Sequence, residues 1–312
     1  MGYKYTVRAD EMNERLDNFL CVKSDITRSG IQRLIKSGLA MVNGGVEKPS
    51  YKIKAGDTIE MIVPDEPDTI LIAEDIPLDI IWEDDHMVVV NKPAGMVVYP
   101  AVGNRSGTMI NALAFRVRKL SPVGAPLRPG IVHRLDKDTS GIMVIAKDNI
   151  THYDLVDQFR EREITKQYMA IVFGNLKHDT GEIKKPIGRS WSNRKKMSTR
   201  ARRTKEAISQ YEVMERFGYA TLVRVRILTG RTHQIRVHFA SIGHSVLGDS
   251  LYGKKLKLET GEAIIKFDRQ MLHASSLKLK HPVKGDMMEF TAPMPGDMQE
   301  AIDKLKEFST SL

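Results

Sequence analysis

The sequence predicts an α+β protein: a mixed, largely antiparallel sheet with flanking helices, preceded by a small α/β domain. Three observations lead to this class. Segments with strand character outnumber helical segments, and short turns join many of them. The composition changes abruptly to acid and proline at residues 64–68, which is typical of a linker. A chain of 312 residues is long enough for one large domain and one small domain.

The first sixty residues predict two short helices followed by a small sheet. Residues 14–20 place apolar side chains at helical spacing. A second helix over residues 28–36 has Thr27 as its predicted cap and Gly38 where it ends. Strand-like runs at 39–42 and 59–63 follow, separated by glycine-containing turns.

The larger domain is predicted from its apolar periodicity as a series of strands and helices. In chain order the predicted elements are a hairpin at 80–90, a helix from Thr108, a loop at 133–141 between two core strands, a helix at 151–162, a strand at 166–172, a strand at 223–227, a helix capped by Thr232, a strand at 272–279 and a helix at 297–308.

The composition excludes several classes of protein. The single cysteine, Cys21, excludes an internal disulfide framework and a zinc site built from thiolates. No run approaches the roughly eighteen apolar residues of a membrane helix. Residues 1–5 do not resemble the start of a signal peptide. We therefore expect a cytoplasmic protein without a membrane partner.

Basic residues are concentrated in one segment. Between Lys184 and Lys205 there are ten lysines and arginines and no acid, whereas the whole chain has a net charge of +9. The rest of the chain is therefore close to neutral. A dense basic block on a neutral body indicates a polyanionic partner, and nucleic acid is preferred over a membrane because the segment has no apolar face. At its centre we expect three nucleic-acid contacts, from Arg200, Arg202 and Arg203.

The N-terminal elements resemble a known RNA-binding module. Two short helices followed by glycine turns at 43–45 and 56–57 are similar, over residues 12–64, to the α-L RNA-binding domain, which occurs in many RNA-modifying enzymes. The resemblance implies that Arg28, Arg33 and Lys36 contact an RNA backbone. Their charges alone would equally fit a solvated helix face, and the ordered set of turns favours RNA binding.

The segment HRLDKDTSG at 133–141 is the candidate site of chemistry. It places Arg134 and Asp136 two residues apart in a charged loop between apolar runs, as a rigid scaffold does when it presents a reactive side chain. The motifs of zinc hydrolases, phosphate-loop enzymes and serine hydrolases are missing from the sequence. Asp136 and Asp138 allow a glycosidase-like pair at roughly 6–7 Å, and a hairpin with a solvated charge pair is the plainer alternative.

Further motifs in the same order as that loop resemble the RluA/RluD family of RNA pseudouridine synthases. They extend over nearly all of residues 75–295, and the N-terminal module is typical of the RluD branch. The motifs are NKPAG at 91–95, KQYMA at 166–170, GRTHQIRVH at 230–238, GH at 243–244 with LGD at 247–249 and Tyr252, and LHA at 272–274. The fold implied by this resemblance has a central cleft in its sheet.

The resemblance also implies the role of each site residue. Asp136 is the catalytic carboxylate that acts on the target uridine, and Tyr168 stacks on the flipped base and helps to remove the C5 proton. Arg236 pairs with Asp136 and keeps it ionised, and Arg134 occupies the place of the extruded nucleotide or contacts the backbone. The residues expected to line the pocket are Ile235 and Leu272.

Several alternatives remain open from the sequence. Asp136 can attack the ribose C1′, add to the base or abstract a sugar proton. Tyr168 alone would more often be a packing residue, and Arg236 a surface arginine. A non-catalytic RNA-binding or ribosome-assembly factor on the same fold is the alternative function. We expect neither a cofactor nor a metal, with RNA, ribosomal rather than transfer RNA, as the partner of a monomeric chain.

The expected organisation has three parts. Residues 12–64 form the RNA-binding domain, residues 65–75 a linker and residues 76–312 the pseudouridine synthase catalytic domain.

Overall fold

The computed structural model describes residues 2–24, 26, 28–63, 71–101, 103–253, 255–260 and 263–310. The chain divides into two compact units, Met1–Thr69 and Ile70–Leu312. The predicted cap Thr27 lies outside the described residues, as does most of the predicted linker at 65–75.

The smaller unit packs two helices against a three-stranded antiparallel sheet. Its strands follow the order β1-β3-β2, and β1, for which the sequence gave no signal, pairs along its whole length with β3. The elements are β1 (Gly2–Thr6), a short 3-10 helix (Ala9–Glu11), α1 (Leu16–Lys23), α2 (Arg28–Lys36), β2 (Ala40–Val42) and β3 (Thr58–Ile62). The apolar stripes of both helices face the sheet, and the buried core includes Leu16, Phe19, Leu20, Ile31 and Ile35.

The larger unit contains fourteen strands and four helices among the described residues. The strands are β4 (Asp79–Glu83), β5 (Met87–Lys92), β6 (Ser140–Ala146), β7 (Thr165–Phe173), β8 (Thr180–Lys184), β9 (Ile187–Arg189), β10 (Met197–Ser198), β11 (Thr204–Lys205), β12 (Ile208–Arg216), β13 (Ala220–Ile227), β14 (Lys257–Thr260), β15 (Ala263–Lys266), β16 (Leu272–Lys280) and β17 (Met287–Thr291). The helices are α3 (Met109–Arg116), α4 (Asn149–Arg160), α5 (Gln234–Ser241) and α6 (Gly296–Thr310).

Nine of these strands form one sheet in the order β4-β5-β6-β16-β7-β13-β12-β8, with β17 paired to β16. Within the described ranges, every pairing in this sheet is antiparallel except that of β6 with β16. The basic segment forms a separate small sheet, β10-β9-β11. The predicted α+β class with a mixed, largely antiparallel sheet is confirmed.

Strand β6 lies at the centre of this sheet, and all seven of its residues are buried. Its parallel pairing with β16 brings Gly141 opposite Ala274. A Cβ atom at Gly141 would lie 2.2 Å from the Ala274 carbonyl oxygen, and the residue has a φ of +117°. Only glycine fits this close approach. The loop before β6 is therefore attached directly to the core.

Two predictions around that loop were wrong. Ile131 and Val132 do not form a strand, because the pairing is limited to one isolated bridge between Ile131 and Ile145. Ser140 and Gly141 do not close a turn but begin β6, since the pairing with β16 takes up their backbone.

Two helix starts also differ from the prediction. The helix predicted at 151–162 begins at Asn149, because Asp148 accepts a 2.8 Å hydrogen bond from the Thr151 backbone N–H and caps it. Helix α5 begins at Gln234 instead of following a Thr232 cap. Its N-cap residue is His233, in the left-handed conformation with φ 56° and without a capping side-chain bond.

None of the helices in the described ranges is both long enough and apolar enough to cross a bilayer.

Candidate active site

Asp136 lies in the loop before β6, with its side chain 17% exposed. Its Oδ2 accepts a 2.8 Å hydrogen bond from Nη1 of Arg236 on α5. Its Oδ1 is 3.6 Å from Nε2 of His233, which is beyond hydrogen-bond length. The carboxylate thus has one strong charged partner and keeps one oxygen free of a short hydrogen bond to the described residues.

Arg236 is itself held by a second carboxylate. Its Nε and Nη2 donate to the two oxygens of Asp249 at 2.7 and 2.9 Å, a bidentate pair. The Asp249 side chain is fully buried and also accepts from the backbone N–H groups of Leu251 and Tyr252. Burial opposes the charge on Arg236, but the contacts with Asp249 and Asp136 outweigh it and raise its pKa. Asp249 therefore fixes the guanidinium that contacts Asp136.

His233 connects the site to the basic segment through a tyrosine hydroxyl. The Tyr252 hydroxyl accepts a 2.8 Å hydrogen bond from the Met197 backbone N–H and lies 2.8 Å from Nδ1 of His233. Burial lowers the pKa of His233, which favours neutral imidazole, and burial raises the pKa of Tyr252 to about 12. The hydroxyl proton can then go to Nδ1, so that the imidazole N–H is on Nε2 and faces Asp136.

Tyr168 on β7 faces the same recess as Asp136 and is 8% exposed. Its hydroxyl makes no hydrogen bond within the described part of the chain. Burial, and then the charge of Asp136, raise the pKa of Tyr168, so the phenol stays protonated at neutral pH. The recess has a volume of about 60 Å³, and its apolar wall consists of Ile227, Ile235 and Leu272. A wider groove of about 400 Å³, also lined by Asp136 and Tyr168, adjoins it.

A buried lysine holds the catalytic loop from one side. The Lys92 side chain is fully buried, and its Nζ donates to the carbonyl oxygens of Pro93, Met96 and Lys137 at 2.8, 2.8 and 3.0 Å. Burial lowers the pKa of Lys92 to about 7. Since Lys137 follows Asp136 directly, this ammonium group positions the backbone next to the carboxylate.

Arg269 and Gln270 hold the same loop from the other side. Nη1 of Arg269 donates to the Asp138 carbonyl at 3.1 Å, and Nε2 of Gln270 donates to Oγ1 of Thr139 at 3.2 Å. The Thr139 N–H donates to the Asp136 carbonyl at 3.1 Å and closes the turn. Three consecutive loop residues are therefore fixed by side chains from outside the loop.

His133 contributes to packing. Its Nε2 accepts a hydrogen bond from the Val144 N–H at 3.0 Å, and its ring lies 4.7 Å from the Phe159 ring. Burial lowers the pKa of His133 to about 3. It is therefore neutral at physiological pH and has no proton to donate as an imidazolium, in agreement with the absence of a chemical role in the sequence analysis.

Arg134 lies exposed at the rim of the recess. Its Nη1 donates to the Tyr99 hydroxyl at 3.2 Å, and its guanidinium carbon is 5.7 Å from the centre of that ring. The tyrosine keeps the arginine side chain extended beside the opening that Asp136 faces.

The predicted RNA-binding residues are all at least half exposed. Arg33 and Lys36 are exposed on α2, as are Arg200, Arg202 and Arg203 in the basic segment. Arg28 is 52% exposed but also donates to Asp17, a buried carboxylate whose pKa is lowered by Arg15, Gln32 and Arg28. The Arg28 side chain thus also stabilises the small unit.

The sequence analysis assigned no role to four residues that build the site: Lys92, His233, Asp249 and Arg269. Lys92, His233 and Asp249 lie within the quoted motifs, but their partners are distant in sequence. One signal was available for Asp249. A buried arginine that pairs with a carboxylate as exposed as Asp136 needs a second acceptor. Among the described residues, no cluster of three or more histidine, cysteine or acidic side chains could hold a metal ion.

Comparison with known proteins identifies the family. Residues 86–241 match the RNA pseudouridylate synthase family, and residues 14–59 match the S4 domain family. The chain is 42% identical over 303 residues to the uncharacterized RNA pseudouridine synthase YlyB of Bacillus subtilis, covering 97% of each chain. It is 42% identical over 302 residues to ribosomal large subunit pseudouridine synthase D of Zymomonas mobilis, covering 94% of each.

A solved structure gives the same result. Human RNA pseudouridylate synthase domain containing 4 superposes with a TM-score of 0.56 and 25% identity, over 73% of this chain and 93% of that one. The resemblance expected from the motifs is confirmed. The chain belongs to the RNA pseudouridine synthases, enzymes that isomerise uridine in RNA.

Proposed function

We propose that this enzyme converts uridine to pseudouridine at defined positions of large-subunit ribosomal RNA, with Asp136 as the catalytic carboxylate and the target uridine turned out of its helix. The substrate is supported by the relatives named ribosomal large subunit pseudouridine synthase D, 40–42% identical over most of their length. The division into an RNA-binding domain at 12–64 and a catalytic domain at 76–312 is part of the same proposal.

One observation carries the catalytic assignment. Asp136 is the only carboxylate that lines the recess and the adjoining groove as described, and a buried arginine orients it. Isomerisation breaks the bond between N1 and C1′, turns the uracil, joins C5 to C1′ and releases the C5 proton. All of these steps need one group that can act next to the glycosidic carbon, and the free Oδ1 of Asp136 is available for it.

Tyr168 would pack against the uracil during this turn. Its raised pKa excludes a standing phenolate, so it can accept the C5 proton only if its own proton passes on at the same time. Asp136 is the acceptor within the recess. The apolar wall of Ile227, Ile235 and Leu272 lets the uracil turn without exchanging hydrogen bonds, which suits a base that presents different edges before and after reaction.

Base flipping is supported by the depth of the site. A carboxylate that is 17% exposed at the bottom of a recess is out of reach of a base stacked within a duplex. The exposed Arg134, held beside the opening by Tyr99, is placed to contact the RNA where the nucleotide has left the stack.

The test uses RNA labelled with tritium at C5 of uridine, because each turnover releases that hydrogen to water. Asp136→Asn should abolish tritium release while RNA binding stays near normal. Carbodiimide-dependent primer extension on ribosomal RNA, from cells lacking the gene and complemented with either form, should locate the modified positions. Asp138→Asn is the matched control: its carboxylate lies outside the recess, and a retained rate excludes a carboxylate pair. Tritium release by Asp136→Asn would refute the mechanism.

A further inference from the structure

An aromatic side chain in the basic segment has no role in the fold. Trp191 is 76% exposed, and neither its ring nor its indole N–H has a partner in the described part of the chain. Tryptophan combines the largest apolar surface with one donor and is rarely left so accessible. An exposed aromatic side chain of this kind marks a contact surface.

The loop that carries Trp191 is well ordered by its own hydrogen bonds. It connects β9 to β10, and its ends are joined by the Ser190 N–H donating to the Lys196 carbonyl at 3.0 Å. Inside it, the Lys196 and Lys195 N–H groups donate to the carbonyl and side chain of Asn193, both at 2.9 Å. The indole is therefore presented on a preformed turn, which reduces the entropy lost when it binds a partner.

The surroundings of the indole are cationic. Arg194, Lys195 and Lys196 belong to the same loop, and no acid occurs between Lys184 and Lys205. An acidic or a neutral apolar protein surface would not need ten uncompensated cations. An exposed aromatic ring among cations is the arrangement by which proteins stack unpaired bases and hold the flanking phosphates.

The loop is also attached to the catalytic site. Met197 ends the loop and donates its N–H to the Tyr252 hydroxyl, which contacts His233 beside Asp136. Since Met197 pairs with Arg189, Trp191 lies two residues beyond that pair, about 7 Å along the strand direction. RNA that reaches Asp136 therefore has further nucleotides within reach of the indole.

We propose that Trp191 stacks on an unpaired nucleobase of the substrate RNA, outside the catalytic recess, while the neighbouring cations hold its backbone. The inference rests on the proposed function in that it takes RNA as the substrate. Stacking is tolerant of sequence, so the site would select a single-stranded stretch and not a particular base.

The full-length chain provides a direct reporter, because it contains two tryptophans, Trp82 and Trp191. Trp82 packs against Phe290 and His281, so Trp82→Phe keeps a ring there and leaves Trp191 as the fluorophore. Adding single-stranded oligoadenylate of about 12 nucleotides, within the span of known single-strand sites, should quench this fluorescence. It should also protect the indole from acrylamide, and an RNA duplex of equal length should do so much less. Unchanged fluorescence with single-stranded RNA would overturn the proposal.

Substitution gives a second measurement. Trp191→Leu should weaken binding of the oligoadenylate roughly five- to hundredfold, and Trp191→Phe should restore most of the affinity. Because no charge is lost, the salt dependence of binding should stay the same. Tyr153→Leu is the matched control, since this tyrosine is 60% exposed on α4, outside the basic segment. Equal affinities of Trp191→Leu and the unmodified protein would refute base stacking and leave the indole to a protein partner.

The two proposals fail separately. In the tritium-release assay, Trp191→Leu should raise KM and leave kcat unchanged, whereas Asp136→Asn should lose turnover and keep the fluorescence quenching. Turnover that depends on Asp136 but is insensitive to Trp191 would refute only the stacking proposal. Quenching together with turnover by Asp136→Asn would refute only the catalytic assignment.

Discussion

Replacing Asp249 by asparagine tests whether the second carboxylate of the site positions the first. Asparagine has nearly the same shape, and its oxygen can still accept from the Leu251 and Tyr252 N–H groups. Its amide group, however, would face Nε of Arg236, where Oδ2 of Asp249 now accepts at 2.7 Å. Two donors would then face each other, and Arg236 would keep Asp136 as its remaining charged partner.

The expected loss of stability follows from burial. The Asp249 side chain is fully buried and that of Arg236 is 8% exposed, so solvent does not replace the lost contact. Removing one partner of such a buried pair lowers the free energy of unfolding by about 3–5 kcal/mol. At roughly 2–4 °C per kcal/mol for a domain of this size, Tm should fall by roughly 10 °C. Asp179→Asn is the matched control, because the Asp179 side chain is 83% exposed beside Arg216 and its loss should lower stability by less than about 1 kcal/mol.

The assay combines thermal unfolding, followed by circular dichroism, with tritium release at a temperature where both variants are folded. Asp249→Asn should lower kcat much more than it raises KM, since the guanidinium that orients Asp136 is no longer fixed. A Tm equal to that of the unmodified protein would contradict the buried ion pair. An unchanged kcat with a lowered Tm would show that Asp249 stabilises the fold without positioning Asp136.

Three further changes test other contacts of the site. Tyr252→Phe removes the hydroxyl shared by His233 and the Met197 N–H, and should lower stability by about 1 kcal/mol and reduce kcat, measured as above. Burial lowers the pKa of Lys92 to about 7, against about 10.4 when unfolded. Between these values the unfolded chain binds the extra proton, so stability from this group rises with pH, and Lys92→Met should flatten that rise in denaturant unfolding between pH 7 and 9. The logarithmic salt dependence of RNA binding should lose about one unit per phosphate contact when glutamine replaces three exposed arginines, Arg200, Arg202 and Arg203, and an unchanged slope would place that segment away from RNA.

Much of the fold could be predicted because its signals are local. Helix α3 begins after Thr108, as predicted, since that side chain caps the helix within three residues. Strand β7 and strand β13 were recognisable from β-branched and alternating residues. Strand β1 was missed because it lacks a strong apolar run and its pairing partner, β3, is more than fifty residues away. The left-handed His233 could not be predicted either, because the turn is set by Gln234, which accepts from Thr229 and the Arg231 N–H.

The site was predictable where a motif resembled a family and unpredictable where contacts cross the chain. The structure brings Asp136, Tyr168 and Arg236 to one recess, as the resemblance implied. The contact of Lys92 with the Lys137 carbonyl spans 45 residues, and that of Arg269 with the Asp138 carbonyl spans 131. No local pattern indicates such contacts, since a buried cation bonded to carbonyl oxygens has the same sequence appearance as a solvated one.

The anchoring of the Asp136 loop on β6 determines which side of the complex has to move. Strand β6 is buried throughout, and the loop before it is bonded on both flanks, so its amides should exchange with deuterium only when the large unit unfolds as a whole. A loop of this kind does not open and close around its substrate. The mechanical work of bringing a uridine to the carboxylate then belongs to the nucleic acid, and RNA regions whose strands already separate easily should be modified fastest.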